Sequence, residues 1–131
     1  MKILNDFPPN FAQIEKAFDL EGFSPIFAYG DTLYNPGGYD IPEDLMVHEQ
    51  THERQQLSLG PELWWSKYIG DRMFRLSQEV EAYGVQYQFV KQKYSRPVRR
   101  ALLQQMAKTL SSKLYGSLIS KQEAETLIQN V

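Results

Sequence analysis

Both histidines of this 131-residue chain stand four positions apart, in the run His48-Glu49-Gln50-Thr51-His52. Only a helix brings positions i and i+4 onto one face, so two imidazoles can address one point only if a helix runs through this segment. Local signals agree. Pro42 suits a first helical turn, Asp40 is the expected N-cap, and Glu43 and Asp44 fall near the positive end of the helix dipole. Leu45, His48, Glu49, His52 and Gln56 share a broad face, and the helix is expected to run to about Leu57, with Ser58 to Gly60 as the break.

The flanking segments read as a mostly helical domain with a small β element just before that helix. Phe11, Ile14, Ala17 and Phe18 give a short helix within Phe11 to Leu20, ended by Glu21-Gly22. Residues 25–34 are β-prone on either side of Gly30-Asp31 and predict a hairpin or one bulged strand; Asn35-Pro36-Gly37-Gly38 is a loop. Pro61 restarts helix, with an interruption near Gly70-Asp71. From about Arg72 to Gln92 the residues Leu76, Val80, Tyr83, Tyr87 and Val90 form an apolar stripe. A further helix spans about Pro97 to Ser111, Leu114 to Ile119 stays ambiguous, and Ser120-Lys121-Gln122-Glu123 is a capping box opening a last helix with Ala124, Leu127 and Ile128.

Length and composition set the outer limits. The chain is the size of a single domain, 1–131, expected to close around one hydrophobic core. A net charge of −2 argues against nucleic-acid binding by bulk charge. There is no cysteine, so disulfides, thiol catalysis and cysteine-ligated metal are excluded. No apolar run approaches the roughly 18 residues of a membrane span. The start, Met1-Lys2-Ile3-Leu4-Asn5-Asp6, has no secretory apolar region, and the expectation is a cytoplasmic protein or a component of a larger assembly.

HExxH is a metal-binding pattern with a mechanism behind it. Neutral imidazole nitrogens bond zinc at about 2.0–2.1 Å, and two of them one turn apart fit a tetrahedral ion. Glu49 is aimed too poorly to be a ligand, but well enough to contact a zinc-bound water. A catalytic zinc takes three protein ligands plus water, and with no other His or Cys the third must be Asp or Glu. The helix over 72–92 offers Glu79 and Glu81. On a wheel of about 100° per residue, Glu79 lies about 70° from the apolar stripe and Glu81 about 130° from it. The carboxylate at the margin of a packed face can reach a neighbouring helix, so Glu79 is the expected ligand and Glu81 the runner-up.

His48-Glu49-Gln50-Thr51-His52 followed by Glu79-Val80-Glu81-Ala82 resembles the gluzincin metallopeptidases, over the span from residue 26 to Tyr87. The chain is also similar to short HExxH proteins of about this length grouped with peptidases. The resemblance implies a minimal zincin-like domain of mainly α (α+β) class. It implies one Zn2+ held by His48, His52 and Glu79, with part of 26–34 aligning an extended peptide or protein substrate. Two departures stand out. Relatives often place Asp after E-x-x-A to support a zinc-binding histidine, and this chain has Tyr83. Thermolysin-like members use a further His at the tetrahedral intermediate, and none remains here. A Tyr or Arg would have to serve, with Tyr83 and Arg54 as candidates that are not assigned as catalytic.

Other features read as structural. Adjacent Trp64 and Trp65 diverge by about 100° and can both be buried only if their helix packs on two sides. Lys91, Lys93, Arg96, Arg99 and Arg100 read as a solvated helix junction, and Gln55, Gln56, Gln104 and Gln105 as exposed helix formers. The preferred expectation is a zinc-dependent hydrolase cleaving peptide bonds, with Glu49 as general base on the zinc-bound water. The competing expectation is an inactive zinc-stapled scaffold or assembly protein, with Glu53 or another carboxylate as a fourth ligand. A third, nucleic-acid binding through 91–100, predicts steep salt dependence.

Overall fold

The β-prone residues around Gly30-Asp31 form an antiparallel hairpin in the computed structural model, which describes residues 1–131. Strand β2 (Phe27–Tyr29) turns through Gly30, at φ 61°, into β3 (Thr32–Tyr34). Glycine is suited to that left-handed turn because it has no Cβ. A third strand, β1 (Lys2–Leu4), pairs parallel to β3, so the sheet order is β1-β3-β2. No sequence signal marked β1. Its three residues are exposed, and backbone pairing alone defines it.

The helices follow the expected order: α1 (Phe11–Ala17), α2 (Glu43–Leu59), α3 (Pro61–Gly70), α4 (Arg72–Lys93), α5 (Arg96–Leu110) and α6 (Lys121–Gln129), with a short 3-10 turn at Lys113–Tyr115. The class is thus mainly α with a small sheet. No helix is long and apolar enough to cross a membrane. The break at Gly70-Asp71 is a true boundary, because the Asp71 carboxylate accepts from the backbone N–H groups of Met73 and Phe74 and starts α4. The capping box at Ser120 and Glu123 forms in both directions. Two expectations are corrected at the ends. α1 stops at Ala17, short of Leu20. Asp40 does not cap α2, since Pro42 holds that position without a side-chain bond and Asp40 is exposed.

The expected single core is divided. One apolar cluster joins α4, α5 and α6 through Tyr83, Val90, Leu103, Met106, Leu110 and Ile128. Another joins α1, β2 and α3 through Ile14, Phe27, Trp64, Trp65 and Tyr68. Tyr115 packs against both. Trp64 and Trp65 are both buried because α3 is covered on two sides. The Trp64 indole N–H donates to Gln78 Oε1 of α4 at 2.8 Å, and that of Trp65 donates to the Ala28 carbonyl of β2 at 3.0 Å.

Between the clusters, α2 packs on α4, and here the apolar stripe misleads. Leu76, Val80 and Tyr87 are only partly buried, whereas Arg75, Glu79, Ala82 and Gln86 are buried. α4 is covered on two sides, with α5 and α6 taking the apolar stripe and α2 the polar one. The facing surface of α2 matches it, since its buried residues are Asp44, His48, Glu49, Thr51, His52 and Gln56. Gln56 is therefore not the exposed helix former expected. It is 2% exposed, donates to the Ala28 carbonyl and accepts from Gly30 N–H at 2.7 Å, tying the hairpin to α2.

Candidate metal centre

A buried polar face on a helix is costly unless each group has a partner. His48, His52 and Glu79 are 2%, 5% and 2% exposed, and one ligand atom from each lies within 4.8 Å of the other two. Nε2 of His48 and Nε2 of His52 are 3.2 Å apart. Each is also 3.2 Å from a Glu79 oxygen. His48 faces Oε1 and His52 faces Oε2, so the carboxylate spans the two imidazoles with both oxygens. Bonds of about 2.0–2.1 Å to a tetrahedral ion put neighbouring ligand atoms about 3.3–3.4 Å apart, close to each of these separations.

The surrounding residues decide which ring nitrogens are free. Gln86 lies between His48 and Asp44, with Oε1 3.0 Å from His48 Nδ1 and Nε2 donating to Asp44 Oδ2 at 2.8 Å. A carboxylate only accepts, so the Gln86 amide group must face Asp44 and its carbonyl oxygen must face His48. Nδ1 of His48 therefore carries the proton, and Nε2 presents a lone pair. His52 repeats the logic. Its Nδ1 is 2.8 Å from Gln55 Oε1, while Gln55 Nε2 donates to the Gln78 carbonyl at 3.0 Å and to Glu81 Oε1 at 2.8 Å. In their neutral forms both histidines thus aim an unprotonated Nε2 at the same carboxylate.

Glu79 accepts a 2.6 Å hydrogen bond from the Tyr68 hydroxyl on Oε2, while its buried Oε1 has no hydrogen-bond donor. Two lone pairs and an orphaned carboxylate oxygen repel one another unless a cation stands among them. The group can therefore hold a metal ion, and its donor set fits one. With only protons available, the pair titrates abnormally. Burial pulls His52 down, but the Glu79 carboxylate, with Glu49 and Gln55, outweighs it and raises the imidazole to about 9. Burial works to raise Glu79, and the two imidazoles outweigh it and hold the carboxyl well below its usual range.

Glu49 is also buried, beside the cluster rather than in it. Burial pushes its carboxyl up, the two histidines oppose this, and Glu79 adds to it. Its side chain borders two small cavities that meet at His48. One, of about 60 Å³, is lined by Ile14, Phe18, Trp64 and Tyr68; the other, of about 190 Å³, by Tyr39, Leu45 and Tyr83.

The remaining candidates fall elsewhere. Glu81 is exposed and holds Gln55 in place. Glu53 is outside the cluster. Arg54 is exposed, its guanidinium 3.4 Å from Thr51 Oγ1, and borders neither cavity. Tyr83 stacks edge-on against the His48 ring, centroids 4.3 Å apart, but its hydroxyl pairs with that of Tyr115 at 2.8 Å. It does not orient the imidazole as an aspartate would; Gln86 and Asp44 do. The strand edge is also partly taken, because the Ala28 carbonyl already accepts from Gln56 and Trp65 and cannot receive a substrate N–H.

Sequence reasoning passed over Asp44, Gln55, Tyr68 and Gln86. Helical spacing carried a signal for three of them: Asp44 is four before His48, Gln55 three after His52, and Gln86 seven after Glu79. Among known proteins, no family model matches the chain, and neither the curated proteins nor the solved structures contain a match.

Proposed function

We infer that this chain is a zinc-dependent hydrolase of peptide bonds. The observation that carries the reading is the convergence of the His48 and His52 Nε2 atoms on the two oxygens of Glu79, each 3.2 Å away and one of them without a hydrogen-bond donor, with a buried Glu49 alongside. Two imidazoles and one carboxylate form a ligand set that suits zinc. Such a metal supplies Lewis-acid polarisation of a carbonyl and brings the pKa of water toward about 7.

The chain's own residues do the rest. Glu49 accepts the proton of the attacking water and later delivers it to the departing amine nitrogen. Its raised pKa brings it nearer the operating pH, which improves a general base. Gln86 and Gln55 keep both imidazoles in the tautomer that leaves Nε2 free. Tyr68 donates to Glu79 Oε2 and so fixes the carboxylate with Oε2 facing His52 and Oε1 facing His48. Tyr83 and Tyr115 both line the larger cavity, and their paired hydroxyls are the donors this reading assigns to an oxyanion.

A second reading, a metal that only staples α2 to α4, is favoured by the near-complete burial of all three ligands. Zinc analysis and peptide cleavage, measured on wild-type protein and on Glu49→Gln, separate the two. The hydrolase reading expects near-stoichiometric zinc in both proteins and a loss of cleavage of about 10²-fold or more in the variant. Equal cleavage by the variant removes Glu49 from the mechanism. Zinc in both proteins with no cleavage by either selects the staple.

A further inference from the structure

Two segments roof the metal centre. One is the irregular stretch between α1 and β2, residues 18–26. The other is the 3-10 turn Lys113–Tyr115 with Gly116. Pro25 and Ile26 from the first, and Leu114 and Tyr115 from the second, border both cavities together with His48 and Glu49. Those cavities, about 60 and 190 Å³, admit water. They fall short of the roughly 300–1,000 Å³ that sites for organic ligands occupy. A peptide reaches His48 and Glu79 only if part of the roof moves.

The two halves of the roof are held unequally. Arg75, 4% exposed, donates from Nε to the Tyr115 carbonyl at 2.9 Å and from Nη1 to the Tyr68 carbonyl at 2.7 Å. Arg72 donates to the Gly116 carbonyl at 3.3 Å, and the Tyr115 hydroxyl pairs with Tyr83. The turn is therefore fixed to α4 and α3. The stretch from residue 19 has no regular structure, and its bonds Phe23 N–H to Leu20 carbonyl and Glu21 N–H to Asp19 Oδ1 are internal. Its polar ties outward are two exposed ones, Tyr39 hydroxyl to the Ser24 carbonyl and Lys113 Nζ to Asp19 Oδ2 at 3.1 Å. Gly22, at φ 85°, has open space where a Cβ would be. The ends are anchored by Phe18, whose ring centroid lies 5.0 Å from Arg75 Cζ, and by Phe27 in the sheet.

A segment with few tertiary hydrogen bonds and an exposed ion pair opens at low cost. We propose that residues 19–26 are a lid that closes over the metal centre against the fixed 113–116 turn, latched by the Asp19–Lys113 ion pair, and that its opening admits an extended peptide. The cargo rests on the hydrolase reading; the lid itself does not.

The chain has no cysteine, so Asp19→Cys with Lys113→Cys supplies its only thiols. They are joined with a dithio-containing bis-maleimide that reductant later cuts. Three rates are compared before and after cutting: carbethoxylation of the chelated protein by diethyl pyrocarbonate, transfer of zinc from the loaded protein to a chromophoric chelator, and peptide cleavage. Both histidines of the chain are in the centre, so the first rate reports that centre even if no zinc binds. The lid expects histidine modification at least about tenfold slower in the joined protein, restored on cutting. Lys113→Ala alone should speed it several-fold. Equal histidine modification in the joined and cut proteins overturns the lid. Slowed modification without peptide cleavage in either state keeps the lid and rejects the hydrolase; cleavage at equal rates in both states rejects the lid and keeps the hydrolase.

Discussion

His48 and His52 direct their Nε2 atoms to within 3.2 Å of each other, while each turns its Nδ1 to a glutamine side chain. Two neutral imidazoles gain nothing from that approach. The arrangement makes sense around a positive charge, and the energetic consequences of the site follow from which charge is there.

Without metal the charge is a proton on His52. Its folded pKa of about 9 lies above the ordinary 6.5, so the protonated form stabilises the fold. That stabilisation is fully present below about 6.5 and is lost as pH rises through about 9. Glu79 has the opposite sign: its contribution is present above about 4.5 and lost as pH falls through its depressed value. Chelated protein should therefore have its highest melting temperature between about pH 4.5 and 6.5 and lose stability steadily toward about pH 9. A chelated protein whose melting temperature is flat from about pH 6 to 9 would show that His52 and Glu79 are not coupled in solution.

Metal should reverse that decline. Zinc bound at the pair would need His52 unprotonated, so uptake should release a proton below about pH 9 and affinity should rise toward that pH. At free zinc 100-fold above Kd the gain is about 2.7 kcal/mol. For a domain of this size that is a rise in melting temperature of roughly 10 °C. Calorimetric melting with and without chelator measures it.

Gln86→Leu removes the group that fixes the His48 tautomer and leaves the Asp44 carboxylate buried without its partner. Zinc affinity should fall about 10–100-fold, the usual cost of losing a residue that orients a ligand. Glu81→Ala should cost much less than tenfold, because Gln55 keeps its bond to the Gln78 carbonyl. Competition with a chromophoric chelator ranks them, and an equal loss in both variants would refute the assignment.

Gln56→Leu separates stability from the metal. It strips Gly30 N–H of its acceptor and the Ala28 carbonyl of one of its two donors. Unfolding in urea should show a loss of about 1–3 kcal/mol, with zinc content unchanged in the folded protein.

Several of these residues were legible in the sequence. His48 and His52 needed only helical spacing, and Glu79 only the choice between two angles around a helix. A turn between two β-prone stretches was legible from Gly30-Asp31, with a hairpin and a bulged strand both open, and the break before α4 from Gly70-Asp71. Asp44, Gln55, Gln56 and Gln86 were not. Glutamine reads as a surface helix former, and helical spacing places Asp44, Gln55 and Gln86 beside the ligands without saying that this polar face is turned inward. Asp40 and Asp44 look equally suited to start α2, yet one lies in solvent and the other holds Gln86.

By itself the sequence determined what depends on neighbours along the chain: the helices, the turn at Gly30-Asp31, the capping box at Ser120 and two histidines on one face. Those follow from backbone periodicity and from side chains bonding to backbone a few residues away. Packing between elements distant in the chain, above all of α2 on α4, determined the rest. Glu79 became a partner of the histidines, Gln86 a bridge from His48 to Asp44, and Trp64 and Trp65 both buried, because α3 and α4 are each covered on two sides. A helix wheel describes one helix in water. Which of its faces is inside, and what stands opposite a buried amide, is set by long-range packing, where a polar group keeps its place only if the element facing it supplies a partner.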